Sequence, residues 1–218
     1  MSEGHDRAIR VAVIDDHELV AEALERAILA YPRIHFVGHA LTAAAGFLLV
    51  QAARPDIVVM DLRLPDGSGT DATRAIKAAF SDVDIVMLTG FADGATLASA
   101  LEAGCAGFVS KGGRFSELLA TIEAVHDGQV RVPQELLEGL VSHLRPRASD
   151  LGRDLTSREI EVLHLLASGL STSEMMERLL VSIHTVRNHI RNLLTKLNAS
   201  SRLEAVAVAT RAGLIERS

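Results

Sequence analysis

Five short apolar runs, separated by longer stretches of helical periodicity, constrain the first half of this chain more than any other feature. They are Val11-Ala12-Val13-Ile14, His35-Phe36-Val37, Ile57-Val58-Val59-Met60, Ile85-Val86-Met87-Leu88 and Gly107-Phe108-Val109. Runs rich in Val and Ile with no polar alternation suit strands buried on both faces, and such strands run parallel only when crossovers join them. Between the runs, Leu19-Ala23-Leu24-Ala27-Ile28 and Leu97-Leu101 keep helical spacing, and Leu118-Leu119-Ile122-Val125 closes the series. The pattern predicts a (βα)5 domain over residues 8–127, with helices on both faces of a parallel sheet. The single cysteine, Cys105, lies in a run of Ala and Gly and is read as a packing residue.

The rest of the chain has a different grammar. Residues 128–153 read as a linker with a short helix from Pro133 through Leu144, followed by a Pro-, Gly- and charge-bearing stretch without an apolar stripe. Residues 154–218 hold only helical patterns. Thr156/Glu159, Ser171/Glu174 and Ser201/Glu204 each place a hydroxyl three residues before a Glu, the spacing of a reciprocal helix cap, and Ser182 opens a fourth helix. Gly169 and Gly213 stand where helices should stop.

Charge divides along the same line. The net charge of −6 looks unsuited to a nucleic-acid partner. However, residues 1–126 carry ten Lys and Arg against seventeen Asp and Glu, whereas residues 153–218 carry nine against seven. Phosphate binding follows local basic density, so the second domain remains a candidate. No stretch approaches the roughly 20 apolar residues of a membrane span, and the polar start gives no sign of a secretory signal; a cytoplasmic protein is expected.

In open parallel sheets ligands bind beyond the carboxyl ends of the strands. Asp15 and Asp16 follow the first strand, Asp61 the third, Thr89 the fourth and Lys111 the fifth. Three carboxylates converging there would repel by a few kcal/mol per pair at about 4 Å and an effective dielectric near 20, so a cation is expected. An all-oxygen donor set suits Mg²⁺. A carboxylate beside Mg²⁺ is also a potential nucleophile. The reading assigns Asp61 as the attacking group, Asp15 and Asp16 as metal holders, and Lys111 and Thr89 as partners of the transferred phosphoryl oxygens.

These residues, in Val13-Ile14-Asp15-Asp16-His17, Val59-Met60-Asp61-Leu62-Arg63-Leu64-Pro65-Asp66-Gly67, Leu88-Thr89-Gly90 and Phe108-Val109-Ser110-Lys111, resemble the receiver domain of bacterial two-component response regulators. The resemblance covers about 115 residues. It implies a flavodoxin-like fold and a phosphoryl group received by Asp61 from a histidine kinase. It also implies a backbone carbonyl of Arg63 in the metal site and Phe108 as a switch residue moving with Thr89. Gly112-Gly113 after Lys111, and the bulky Arg63 and Phe91 beside the pocket, depart from the usual pattern. A phosphohydrolase using Asp61 is the rival from another class. Such enzymes usually need a second acid just beyond the nucleophile, and position 63 is Arg.

In the second domain Val186, Ile190, Leu193, Leu194 and Leu197 share one helical face, while Arg187, Asn188, Arg191, Asn192 and Thr195 lie opposite. Arg and Asn pair bidentately with guanine and adenine, which makes the polar side a major-groove candidate. With the preceding helix from Ser171 to Leu179 it forms a helix-turn-helix. His184 and His189 fall on different helix faces and do not read as a metal pair. The segment from Leu155-Thr156-Ser157-Arg158-Glu159 to Ala212-Gly213-Leu214-Ile215 resembles the LuxR-type, or NarL/FixJ-type, DNA-binding domain, with Met175-Met176 departing from its usual Ile-Ala. That resemblance implies that Arg187, Asn188 and Arg191 read bases of double-stranded DNA while Thr185, His189 and Lys196 hold phosphates. The whole is expected to be a non-enzymatic transcription regulator that forms a homodimer when phosphorylated or DNA-bound.

Overall fold

The computed structural model describes residues 8–90, 94–129, 131, 152 and 154–215. The expected helix from Pro133 to Leu144, most of the expected linker, and Phe91 lie outside the described residues. By internal contacts the chain divides into two units, one of residues 1–90 and 109–126, the other of 91–108 and 127–218.

Five strands form the sheet: β1 (Ile9–Ile14), β2 (Ile34–Ala40), β3 (Ile57–Asp61), β6 (Asp84–Thr89) and β7 (Gly107–Ser110), in the order β2-β1-β3-β6-β7. β1 pairs in parallel with β2 and β3, and β3 with β6. This is the doubly wound arrangement the apolar runs predict. Val11, Val13, Ile57, Val58, Ile85 and Val86 are almost wholly buried, as strands covered on both faces must be. The crossovers are α1 (Glu18–Ile28), α2 (Ala43–Ala53), α3 (Gly69–Ala79) and α4 (Gly94–Glu102), and α5 (Phe115–His126) follows the last strand. Because the strand order reverses direction at β1 and β3, the polar ends of these two strands flank a crevice.

In this first domain two details differ from the sequence reading. The stripe on α1 is not Leu19-Ala23-Leu24-Ala27-Ile28: the buried residues are Ala21, Leu24 and Ile28, and Leu19 is 80% exposed. Leu19 lies in the first turn, ahead of the buried stripe. Between β3 and α3 the chain also makes a two-residue antiparallel hairpin, β4 (Arg63–Leu64) with β5 (Gly67–Ser68), too short to show as alternation. Asp66 at its tip accepts the Ala43 and Ala44 backbone N–H groups at 2.7 and 3.0 Å, capping α2 from a distant loop and holding its own carboxyl below the usual range. Cys105 is fully buried, with its thiol directed at the Gly107 carbonyl at 2.9 Å.

The second domain has four helices, α6 (Ser157–Ala167), α7 (Thr172–Leu179), α8 (Ile183–Lys196) and α9 (Arg202–Arg211). Reciprocal caps form at Thr156/Glu159 and Ser171/Glu174. At the third expected cap Ser201 accepts from the Glu204 N–H, but the Glu204 carboxylate turns to the Ser200 N–H at 2.6 Å. Gly169 and Gly213 take positive φ of 76° and 69° as helix stops. Val162, Leu163, Leu166, Met175, Leu179, Val186, Ile190, Leu193 and Leu197 share one core, so Met175 serves as core filling.

The turn between α7 and α8 is strained in one respect. Leu180 adopts φ 52°, a left-handed conformation disfavoured for side chains with a Cβ, and is 91% exposed. Leu180→Gly removes the steric cost and little packing. It is expected to stabilise this domain by about 0.5–1 kcal/mol after glycine's own entropic cost. A urea midpoint that fell would contradict this.

Candidate functional site

The pocket assembles where β1, β3, β6 and β7 end. Asp15 follows β1, Asp61 is the last residue of β3, Thr89 closes β6 and Lys111 follows β7. Of the five expected strand-end residues, Asp15, Asp61 and Lys111 meet through their side chains, Thr89 joins them through its backbone carbonyl, and Asp16 lies against His17. Asp15 and Asp61 are 1% and 5% exposed, whereas Asp16 is exposed. Lys111 binds both buried acids, with Nζ 2.7 Å from Asp61 Oδ2 and 2.9 Å from Asp15 Oδ2. Its backbone N–H donates to the Thr89 carbonyl at 2.7 Å, which ties the end of β7 to the end of β6. The Thr89 hydroxyl is buried and has no hydrogen-bond partner among the described residues. A buried hydroxyl left this way costs on the order of 1–3 kcal/mol, a cost that a bound acceptor would relieve.

The electrostatics follow from burial. Loss of water raises the Asp61 carboxyl above its ordinary value, and the charge of Asp15 adds to this; the hydrogen bond from Lys111 and the Arg63 backbone N–H hold it back. Burial lowers the Lys111 ammonium, but hydrogen bonds to Asp15 and Asp61 outweigh it and the net shift is upward. His17 was absent from the expected set. Its N–H donates to Asp15 Oδ1 at 2.9 Å, and its ring Nδ1 lies 3.0 Å from Asp15 and 2.6 Å from Asp16. The hydrogen bond to the Asp15 carboxylate, then the charge of Asp16, raise the imidazole. Its place directly after the acidic pair was the available signal.

Donor atoms of Asp15, Asp16, His17 and Asp61 lie within 4.8 Å of one another, close enough to surround one ion. The His17 ring nitrogen departs from the expected all-oxygen set, but the three carboxylates face one lysine, and their oxygen donors favour a hard divalent cation. The donor chemistry fits Mg²⁺. Gly69, the first residue of α3, donates its N–H to the Leu62 carbonyl at 2.9 Å. A Cβ there would overlap the Asp61 carbonyl oxygen and lie 2.9 Å from its carbon, so the helix can close on the Asp61 backbone only through a glycine. Phe108 is 1% exposed, among the largest fully buried side chains.

In the second domain Arg187, Asn188 and Arg191 on α8 are exposed together, and Arg191 donates to the Asn188 side-chain oxygen at 2.7 Å. Thr185 and His189 are half-buried beside them. Lys196 is placed differently. Its Nζ is 2.7 Å from Glu159 Oε2 and 2.9 Å from the Asp154 carbonyl, directed at the start of α6. Burial raises the Glu159 carboxyl, but Lys196 and Thr156 outweigh this and hold it below the usual range.

Residues 11–123 match the family described as response regulator receiver domain, and residues 153–209 match bacterial regulatory proteins, luxR family. The chain belongs to the two-component response regulators that join a receiver to a LuxR-type helix-turn-helix. Among curated relatives, the transcriptional regulatory protein LiaR of Bacillus subtilis is 34% identical over 209 residues, covering 95% of this chain and 99% of LiaR. The DNA-binding transcriptional activator DevR/DosR of Mycobacterium tuberculosis is 32% identical, covering 93% and 94%. Among solved structures, a LuxR-family two-component response regulator from Aurantimonas is 32% identical with TM-score 0.58, covering 62% of this chain and 96% of that one. The response regulator ChrA of a heme-sensing two-component system is 29% identical with TM-score 0.52, covering 95% and 99%. No helix among the described residues is long and apolar enough to cross a membrane.

Proposed function

We propose that Asp61 accepts a phosphoryl group in a Mg²⁺-dependent reaction and that this modification controls sequence-specific DNA binding, and so transcription. The supporting observation is the buried Asp61 carboxylate held by Lys111 next to a strand end whose Thr89 hydroxyl has no partner among the described residues. An Asp61 carboxylate oxygen forms the bond to phosphorus as the bond from phosphorus to the donor breaks, and the leaving group keeps that electron pair. Lys111 neutralises one equatorial oxygen and Thr89 donates to another. Asp15, Asp16, Asp61 and the Arg63 backbone carbonyl would hold the Mg²⁺, which when bound supplies further positive charge to the phosphoryl oxygens.

The added charge of about −1.5 to −2 draws Thr89 and Lys111 inward and shifts buried Phe108 with them. Residues 8–127 form the phosphoacceptor domain, 128–153 the linker and 154–218 the output domain. Arg187, Asn188 and Arg191 read base edges, with Thr185 and His189 on phosphates. A homodimer on two half-sites supplies affinity that one weakly basic domain lacks. The natural donor is a histidine kinase, and the protein works in the cytoplasm as a regulator without turnover of its own.

Two measurements test this. Incubation with a small acyl phosphate and Mg²⁺ should add one base-labile phosphoryl group, and omission of Mg²⁺ should abolish it. Duplexes selected from a random pool should then bind about 5- to 150-fold differently with and without the donor, the usual range of allosteric coupling. Absence of both effects would remove the reading.

A further inference from the structure

We infer that Lys196 is a positioning residue for the recognition helix rather than a phosphate contact, and that it acts through Glu159. The inference rests on the reading of α8 as the DNA-reading helix. It contradicts the phosphate role that family resemblance implies for Lys196.

The first turn of α6 touches both ends of the helix-turn-helix. Glu159, 3% exposed, accepts the Thr156 N–H at 2.8 Å, the Thr156 hydroxyl at 2.9 Å and the Lys196 ammonium at 2.7 Å, all through Oε2. The ammonium also donates to the Asp154 carbonyl at 2.9 Å, so the segment entering α6 is pinned as well. One residue earlier, Arg158 donates to the Leu179 carbonyl at 2.7 Å, where α7 ends. Its other guanidinium nitrogen reaches Glu161 at 2.6 Å. Arg158 therefore fixes the end of α7, and Glu159 the end of α8.

These two points set the angle at which α8 leaves the turn. The core between them, Val162, Leu163 and Leu166 against Val186, Ile190 and Leu193, is apolar and has little directional preference. Polar bonds at fixed distances supply the direction the core lacks. A base-reading helix needs that direction, since bidentate Arg and Asn contacts fail when the helix tilts. A lysine already neutralised by a buried carboxylate also releases few counterions on binding DNA.

The test uses the full chain, a duplex it selects from a random pool, and a shuffled duplex of equal length, with affinities measured from 50 to 200 mM salt. K196M should lose at least about tenfold of the preference for the selected duplex, while the slope of log affinity against log salt changes by less than about 0.3. The neutral pair E159Q/K196M should recover the preference to within about threefold, because no buried charge is then left alone. A phosphate contact predicts otherwise: both duplexes weaken alike and the slope falls by about 0.9, in the single and the double variant. That result overturns the positioning role. A purely structural role would lower the melting temperature and weaken both duplexes without changing preference or slope, and would overturn it too. If K196M does not fold, the double variant decides by its slope and preference. A wild-type chain that binds neither duplex removes the DNA reading itself and the inference with it.

Discussion

Gly69→Ala should destabilise the receiver by roughly 3 kcal/mol, a fall of about 10 °C in melting temperature, and should slow phosphoryl labelling about 100-fold. The methyl would meet the Asp61 carbonyl, 2.9 Å from its carbon and 3.1 Å from the Leu62 Cα. These are backbone atoms of the strand end that carries the acceptor, not the tip of a flexible side chain. The new atom can be accommodated only by moving β3 or the start of α3. Ser68 caps α3 through the Asp71 N–H, and the buried Thr73 hydroxyl holds the Gly69 carbonyl at 2.7 Å, so the helix is anchored on its side. The displacement falls on Asp61, whose side chain must stay aligned with Lys111. Gly67→Ala is the control: nothing lies within 4 Å of its would-be methyl, and a change of less than about 0.5 kcal/mol is expected. If both variants melt alike, the close approach of α3 to Asp61 does not matter.

Asp61→Asn should abolish labelling and yet make the metal-free protein more stable near neutral pH. Burial lifts the Asp61 carboxyl above its ordinary value, so only in the pH interval between the two values does the folded chain hold a proton there that the unfolded chain has released. Stability then declines as pH rises from the ordinary carboxylate range through the lifted value, and the loss persists above it. An amide carries no such cost. Lys111 loses one acceptor but keeps Asp15 at 2.9 Å. The gain should be about 0.5–2 kcal/mol, the range found when a functional compromise is removed. It should vanish at pH 3, where the carboxyl is protonated in both states. Mg²⁺ should narrow the difference, since only a chain with its full set of carboxylates gains much from binding. Thermal melts of both proteins at pH 3 and 7, with and without Mg²⁺, give the comparison; a variant less stable than wild type at pH 7 without metal would contradict it.

Much of the architecture was readable because its signals are local. Val-Ile runs bury on both faces whatever surrounds them, and Thr156/Glu159 and Ser171/Glu174 form their caps within four residues. Polar residues at strand ends converge because parallel strands share one carboxyl edge, so Asp15, Asp61, Thr89 and Lys111 were found from their place after each strand. His17 does not follow from the strand-end rule, since it stands two residues beyond Asp15 and carries no carboxylate, although its ring lies 2.6 Å from Asp16. On α1 periodicity alone misplaced Leu19, since the buried stripe begins with Ala21.

The amino-acid order settled the two-domain plan, the strand and helix types and the chemistry gathered at the sheet edge, all of which follow from short-range periodicity, capping and topology. Pairings across the fold settled the rest. Lys111 spans 50 residues to reach Asp61, Glu159 draws Lys196 inward across 37, and Gly69 exists to let α3 approach a carbonyl eight residues earlier. Which ammonium meets which carboxylate, and where a single methyl would not fit, depends on distances of a few ångströms that no linear spacing encodes.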